Sequence, residues 1–291
     1  MNNSRIKIGV VASGSRLEPV IADRVMALSR ATYGERAPEI YFHPQCFLSF
    51  GHFAGGDEAR AQAFLEIAND ASFDALWVGR GGYGSCRIAE RVMAAATDAA
   101  KRKSYLGYSD AGFLLAGLYK QGFSNLNHGP MPADICREGG EKAVARALAF
   151  LVDGDTAALE PTISPSKKTV AFNITVLSQL LGTALQPDLT DHILMLEEVS
   201  EYMYRIDRAM FHITSNPEIR KVAGIRLGRC SAIPPNDPDF GQSEEQVVRH
   251  WCRVSHIPYV GRADIGHDIE NKVVPFGLLR TANKSSPSPV A

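Results

Sequence analysis

From residue 6 to residue 151, short β-branched runs alternate with longer amphipathic ones. Residues 6–12, 39–43, 74–78, 104–108 and 123–127 read as strands. The stretches between and after them place apolar residues at steps of three and four. These are Ile21, Val25 and Leu28; Ala61, Phe64, Leu65 and Ala68, with Asp57 as a candidate cap; Ile88, Ala89, Val92 and Met93; Leu114, Leu115 and Leu118; and Val144, Leu148 and Leu151. Strands separated by helices pair in parallel, and the helices cover both sheet faces. The expected class is α/β. Ligands of such sheets bind beyond the carboxyl ends of the strands. The polar turns near Ser13, Gly81 and Ser109 all fall at such ends.

The alternation breaks at residues 153–168, where Asp153-Gly154-Asp155 and the Pro161 to Lys168 stretch read as a linker. The expected organisation is a first domain over 1–153, a linker over 154–168 and a second domain over 169–291. In the second half, 173–181 and 204–214 read as helices. Residues 192–198, 222–233, 256–260 and 272–279 read as strands, and 234–241 as a loop. The Ser- and Pro-rich tail 281–291 reads as frayed.

Composition narrows the function. The net charge of −1 and the absence of a basic stripe argue against nucleic acid as a partner. No run approaches the ~18 apolar residues of a membrane span. The N-terminus passes into its first strand without the apolar region of a signal peptide. Five cysteines, scattered and without a CxxC, read as free thiols of a reducing cytoplasm rather than as zinc ligands. Cys86, near a glycine-rich turn, reads as a buried helix residue. The function is expected in a pocket, without metal or cofactor.

Ser109 lies in Tyr105-Leu106-Gly107-Tyr108-Ser109-Asp110, between a strand and a helix. A serine on a sharp strand-to-helix turn projects its hydroxyl above the sheet, with the next backbone N–H pointing into the same space. The other reading is a helix N-cap. One βα unit earlier, Arg80-Gly81-Gly82-Tyr83-Gly84 follows a strand and opens a helix. It lacks the GxGxxG spacing and the lysine of a P-loop. It reads as a second oxyanion donor beside Ser109, as a phosphate cradle or as a plain tight turn. A serine nucleophile needs a base, and His267 in Asp264-Ile265-Gly266-His267-Asp268 has the context of a loop histidine facing a cleft. His128, in Asn127-His128-Gly129-Pro130, is its rival. The base needs an acidic orienter, and Glu197 follows the apolar Leu194-Met195-Leu196. Glu197 and Glu198 also read as caps of the following turn.

Together these pieces resemble the LD-carboxypeptidases, serine peptidase family S66. That family includes cytoplasmic murein tetrapeptide carboxypeptidases and microcin C self-immunity peptidases. The matching stretches are Arg80 to Gly84, Gly107 to Asp110, His128 to Met131, Leu196 to Val199 with Glu201, Tyr204 to Arg208, and Gly266-His267 with Pro275 to Gly277. The resemblance implies a Rossmann-like parallel-sheet N-terminal domain, a smaller β-rich C-terminal domain and a homodimer. It implies Ser109 as nucleophile, Glu197 as the acidic member and His267 as base. The backbone N–H groups of Gly82, or Gly81, and of Asp110 form the implied oxyanion hole. Arg80, Gly81 and Tyr83 are candidate substrate contacts, Arg80 either for a terminal carboxylate or as a brace of the loop.

The chain departs from the family pattern at three places. It has Ala171-Phe172-Asn173-Ile174 for Gly-Gly-Asn-Leu, Glu197-Glu198 for Glu-Asp, and Ala12-Ser13-Gly14-Ser15 without Ala-Pro-Ser. None removes a triad residue, and all bear on the substrate pocket. The expected reaction is hydrolysis of an L,D-amide, releasing the terminal D-alanine of a murein tetrapeptide. The alternatives are cleavage of an aminoacyl-nucleotide amide, and a non-catalytic domain that binds a small anion or nucleotide.

Overall fold

The computed structural model describes residues 5–279. The Ser- and Pro-rich tail lies outside them. The first half runs β1 (Lys7–Val11), α1 (Pro19–Tyr33), β2 (Glu39–Phe42), α2 (Asp57–Asn69), β3 (Ala75–Val78), α3 (Ser85–Ala95), α4 (Asp98–Lys101), β4 (Ser104–Gly107), α5 (Gly112–Lys120), β5 (Leu126–His128) and α6 (Glu141–Asp153). The second half runs β6 (Lys168–Asn173), α7 (Ile174–Leu180), β7 (His192–Val199), α8 (Met203–Ser215), β8 (Gly224–Ser231), α9 (Glu244–Val254), β9 (Tyr259–Arg262) and β10 (Val274–Pro275).

Two sheets result. The larger has the order β10-β5-β4-β3-β1-β2, and the smaller β6-β7-β8-β9. Every pair is parallel except β10 with β5. The α/β class, with a Rossmann-like first sheet and a smaller second one, is therefore present. The central strand β3 is buried at every residue, as expected of a parallel strand covered on both faces. Trp77 on it is fully buried and satisfies its indole N–H on the Pro130 carbonyl at 2.8 Å. Leaving that donor unpaired would cost about 1–3 kcal/mol.

Several local expectations change. Asp57 is not a cap: Gly56 holds that position. Asp57 sits in the first turn and pairs with Arg60 and Arg87, where a carboxylate is favoured by the helix dipole. Between the expected linker, which ends at 168, and the helix expected from 173 lies β6, which pairs along its length with β7. Helix α9 was not anticipated, although Val247, Val248 and Cys252 form its buried stripe. The strand expected over 272–279 contracts to Val274–Pro275, which joins the edge of the first sheet. Bridges between Leu159 and Val273 and between Thr169 and Gly277 stitch the same segment to the stretch before β6 and to β6 itself.

Candidate active site

Ser109 follows β4 in a single 3-10 turn that leads into α5. Its φ is +59°, the left-handed region that costs a non-glycine residue about 1–2 kcal/mol. Its hydroxyl caps no helix amide, so the cap reading does not hold. The next residue pins the turn. Asp110 is buried, and its carboxylate accepts the amides of Ser85 at 2.8 Å and Gly84 at 3.3 Å. Burial pushes its carboxyl above the ordinary range, against the pull of those two amides. The nucleophile-like turn and the start of α3 are thereby tied together.

The loop after β3 lies beside Ser109 because β3 and β4 are neighbours. A side chain at Gly81 would meet Ser109 Cβ and Oγ at 3.0 Å. Gly82 has φ +98°, and a Cβ there would strike Ser15 Oγ at 2.3 Å. Glycine is required at both positions, for approach at one and for φ at the other. Among the described residues, the amides of Gly82 and Asp110 have no backbone acceptor. Arg60, fully buried, braces the loop from beneath by donating to the Gly84 carbonyl at 2.9 Å and to that of Ser13.

Glu197 and His267 meet across the second sheet. His267 Nδ1 lies 2.5 Å from Glu197 Oε2, and Glu197 is fully buried on β7. Burial opposes a charged imidazole, but the Glu197 carboxylate outweighs it and raises the His267 pKa. The His267 ring packs at 4.8 Å against Tyr108, whose hydroxyl donates to Asp134 at 2.8 Å. Glu198 points elsewhere. It accepts from Asn173, Val199 and both the amide and hydroxyl of Thr175, so it satisfies the first turn of α7 beside Asn173, the residue that caps that helix. His128, the rival base, is buried against Tyr108 and bonds Asn271 at 3.3 Å. Burial lowers its pKa to about 4.

Two cavities meet at Ser109, with Gly82 and Val199 in the wall of each. One, of about 600 Å³, also carries His267, Arg80, Gly81 and Arg137. The other, of about 640 Å³, carries Tyr83, Cys86, Asn173, Thr175 and Glu201. No hydrogen bond joins Ser109 Oγ to His267 among the described residues. Such contacts commonly tighten only when substrate is seated. Arg80 is exposed and donates to the Arg16 carbonyl at 3.3 Å, a bracing contact. Tyr83 is half exposed and packs 6.0 Å from Phe53. Cys86 is held as a thiol by burial and by Asp110. The structure thus brings Ser109, the glycine loop, Glu197 and His267 to one place, with Arg80 and Tyr83 at its rim. Sequence reasoning missed Asp134 and Asn271, whose partners are distant in the chain and leave no local pattern.

The N-terminal domain of the LD-carboxypeptidases matches residues 8–129, and their C-terminal domain matches residues 168–281. A Synechocystis relative that carries a carboxypeptidase name is 33% identical over 82% of this chain and 79% of its own. The murein tetrapeptide carboxypeptidase of Pseudomonas aeruginosa is 24% identical over 78% of each. Solved structures share the fold. The muramoyltetrapeptide carboxypeptidase of Oxalobacter formigenes has a TM-score of 0.77 at 21% identity, covering 94% of this chain and 96% of its own. The microcin C7 self-immunity protein has a TM-score of 0.76 at 16% identity, covering 94% and 91%. This chain belongs to the LD-carboxypeptidase family, S66, and is a serine-type carboxypeptidase.

Proposed function

We propose that Ser109, His267 and Glu197 form the catalytic triad of an enzyme that releases the terminal D-alanine of a murein tetrapeptide. The observation that carries this reading is their convergence. A serine held at φ +59° borders the cavity whose wall includes the imidazole paired with buried Glu197.

Ser109 Oγ attacks the carbonyl on the L-centre of the diaminopimelate while its proton passes to His267 Nε2. Glu197 accepts the Nδ1–H and stabilises the imidazolium. The amides of Gly82 and Asp110 receive the developing oxyanion, each donor worth roughly 3 kcal/mol. The imidazolium returns the proton to the leaving nitrogen as the C–N bond breaks, and D-alanine departs. Water then attacks the acyl-enzyme, giving one proton to His267 and restoring Ser109.

The relatives named for murein peptides support this substrate, and cell-wall recycling in the cytoplasm by a homodimer is the setting it implies. A second reading, cleavage of an aminoacyl-nucleotide amide, has the support of the fold shared with MccF, solved in complex with glutamyl sulfamoyl guanosine. The non-catalytic anion-binding alternative is overturned by membership of a carboxypeptidase family.

Side-by-side assay of murein tetrapeptide and an aminoacyl sulfamoyl nucleoside tests the choice by mass spectrometry. D-Alanine release that vanishes in Ser109→Ala is the expected result. Turnover of the nucleoside alone moves the enzyme to the second reading, and unchanged turnover in the variant sinks the triad. Sedimentation of the wild-type chain tests the dimer.

A further inference from the structure

We infer that Arg137 binds the free carboxylate of the residue that leaves, in the cavity on the His267 side of Ser109. This rests on the serine-carboxypeptidase mechanism proposed above.

The cavities that meet at Ser109 differ in one chemically decisive way. His267 lines one and is absent from the other. The imidazolium formed on attack must hand its proton to the departing amine. The leaving residue must therefore lie on the His267 side, and the acyl portion in the cavity lined by Asn173, Thr175 and Glu201.

The residue that leaves a carboxypeptidase carries a carboxylate. Moving that anion from water into a cavity is costly without a cation and directed donors. Two arginines line the His267 cavity, Arg80 and Arg137. They are mounted differently. Arg137 donates from Nε to Asp134 Oδ1 at 3.0 Å, and its side chain retains 39% exposure. Asp134 is itself buried and fixed by the Tyr108 hydroxyl and the Met131 amide, each at 2.8 Å.

Among the described residues, the side-chain hydrogen bonds of Arg137 run to the Asp134 carboxylate and toward the Tyr108 hydroxyl beside it, so donors of its fork remain for a ligand. Arg80 has no anchoring carboxylate and leans on the Arg16 carbonyl. A donor already fixed in place loses less freedom on binding than a loose one. The mount of Arg137 also includes the base: Tyr108, which bonds Asp134, packs against the His267 ring. One buried carboxylate thus sets the carboxylate-binding group and the ring that backs the imidazole in a common frame.

The test compares two substrates, murein tetrapeptide ending in D-alanine and the same peptide ending in D-alaninamide, on wild type, Arg137→Gln, Arg137→Lys and Arg80→Gln. The wild type is expected to prefer the acid. Arg137→Gln is expected to lose roughly 10- to 100-fold in kcat/KM on the acid, mainly through KM, the scale of a charge-assisted hydrogen bond. Its rate on the amide stays within a few-fold, so the preference collapses. Arg137→Lys recovers part of it, and Arg80→Gln retains it. Equal losses on both peptides would mark a structural role and overturn the anchor. So would an unchanged preference in Arg137→Gln, or its collapse in Arg80→Gln. A wild type that cleaves neither peptide overturns the murein reading, and the anchor with it.

Discussion

His267 hydrogen-bonds Glu197 across 70 residues of sequence, at 2.5 Å, from a loop after β9 to a fully buried position on β7. The second carboxylate oxygen of Glu197 is buried and has no partner among the described residues. Such an oxygen is costly to keep in the interior. Among the described residues, the imidazole is thus the one hydrogen-bond partner of a fully buried carboxylate. That makes His267 sensitive to Glu197 and sets the first prediction.

A base must be neutral to accept a proton. The raised pKa of His267 places the acid limb of kcat/KM above the ordinary histidine value of about 6.5. Glu197→Gln removes the largest of the charges that raise it and leaves burial, which lowers it. The limb is expected to move to lower pH, with a fall in kcat of roughly 10³- to 10⁴-fold. A pH–rate profile of the two proteins checks this, and an acid limb that stays in place counts against the pair.

Backbone strain at Ser109 has a stability signature. Ser109→Ala and Ser109→Gly both remove the hydroxyl, and both are expected to end turnover. Only glycine relieves the left-handed φ of +59°. Ser109→Gly should therefore be more stable than Ser109→Ala by about 1 kcal/mol. Urea denaturation of the pair measures it, and equal midpoints would remove strain from the account.

Gly81 and Gly82 separate function from folding. At Gly81 the incoming methyl meets Ser109 Oγ at 3.0 Å without a positive φ. Gly81→Ala is expected to displace the Ser109 hydroxyl and, with Ser109 as the proposed nucleophile, to lower kcat on the order of 10²-fold, the effect of a misplacement near 1 Å. Its melting temperature should change little. At Gly82 the methyl strikes Ser15 and the backbone is left-handed, so Gly82→Ala is expected to lose stability as well. Circular dichroism melts beside single-turnover rates distinguish the two.

His128 makes the fold acid-sensitive. Its pKa falls to about 4 in the folded chain because burial disfavours the charged ring, against about 6.5 unfolded. The unfolded chain therefore takes up the proton first. Stability is full above the unfolded value and is lost as pH falls from about 6.5 to about 4, by on the order of 3 kcal/mol. His267 has the opposite sign: its raised pKa contributes stability at low pH that is lost as pH rises through the folded value. His128→Phe is expected to flatten the acid side of the stability curve. An unchanged slope between pH 7 and pH 4.5 in chemical denaturation would refute it.

The elements most legible in the sequence are those with a local period. The β/α alternation of the first half, the glycine loop and the Ser109 turn are all properties of residues near one another in the chain. So was the expectation that strand ends gather a site. Residues 168–173 carried no such signal. Their strand begins at Lys168 beside Lys167 and follows a Pro- and Ser-rich stretch, and it is buried by pairing with β7.

The roles of Glu197 and Glu198 were equally undecided. Adjacent residues of a strand face opposite sides, and only the placement of β7 between β6 and β8 shows which side holds His267 and which holds Thr175. Asp134 joins Tyr108, Met131 and Arg137 through contacts that no spacing encodes. Periodicity records which face of an element is buried. Which faces meet is decided by long-range packing, because buried polar groups must find partners wherever the folded chain supplies them.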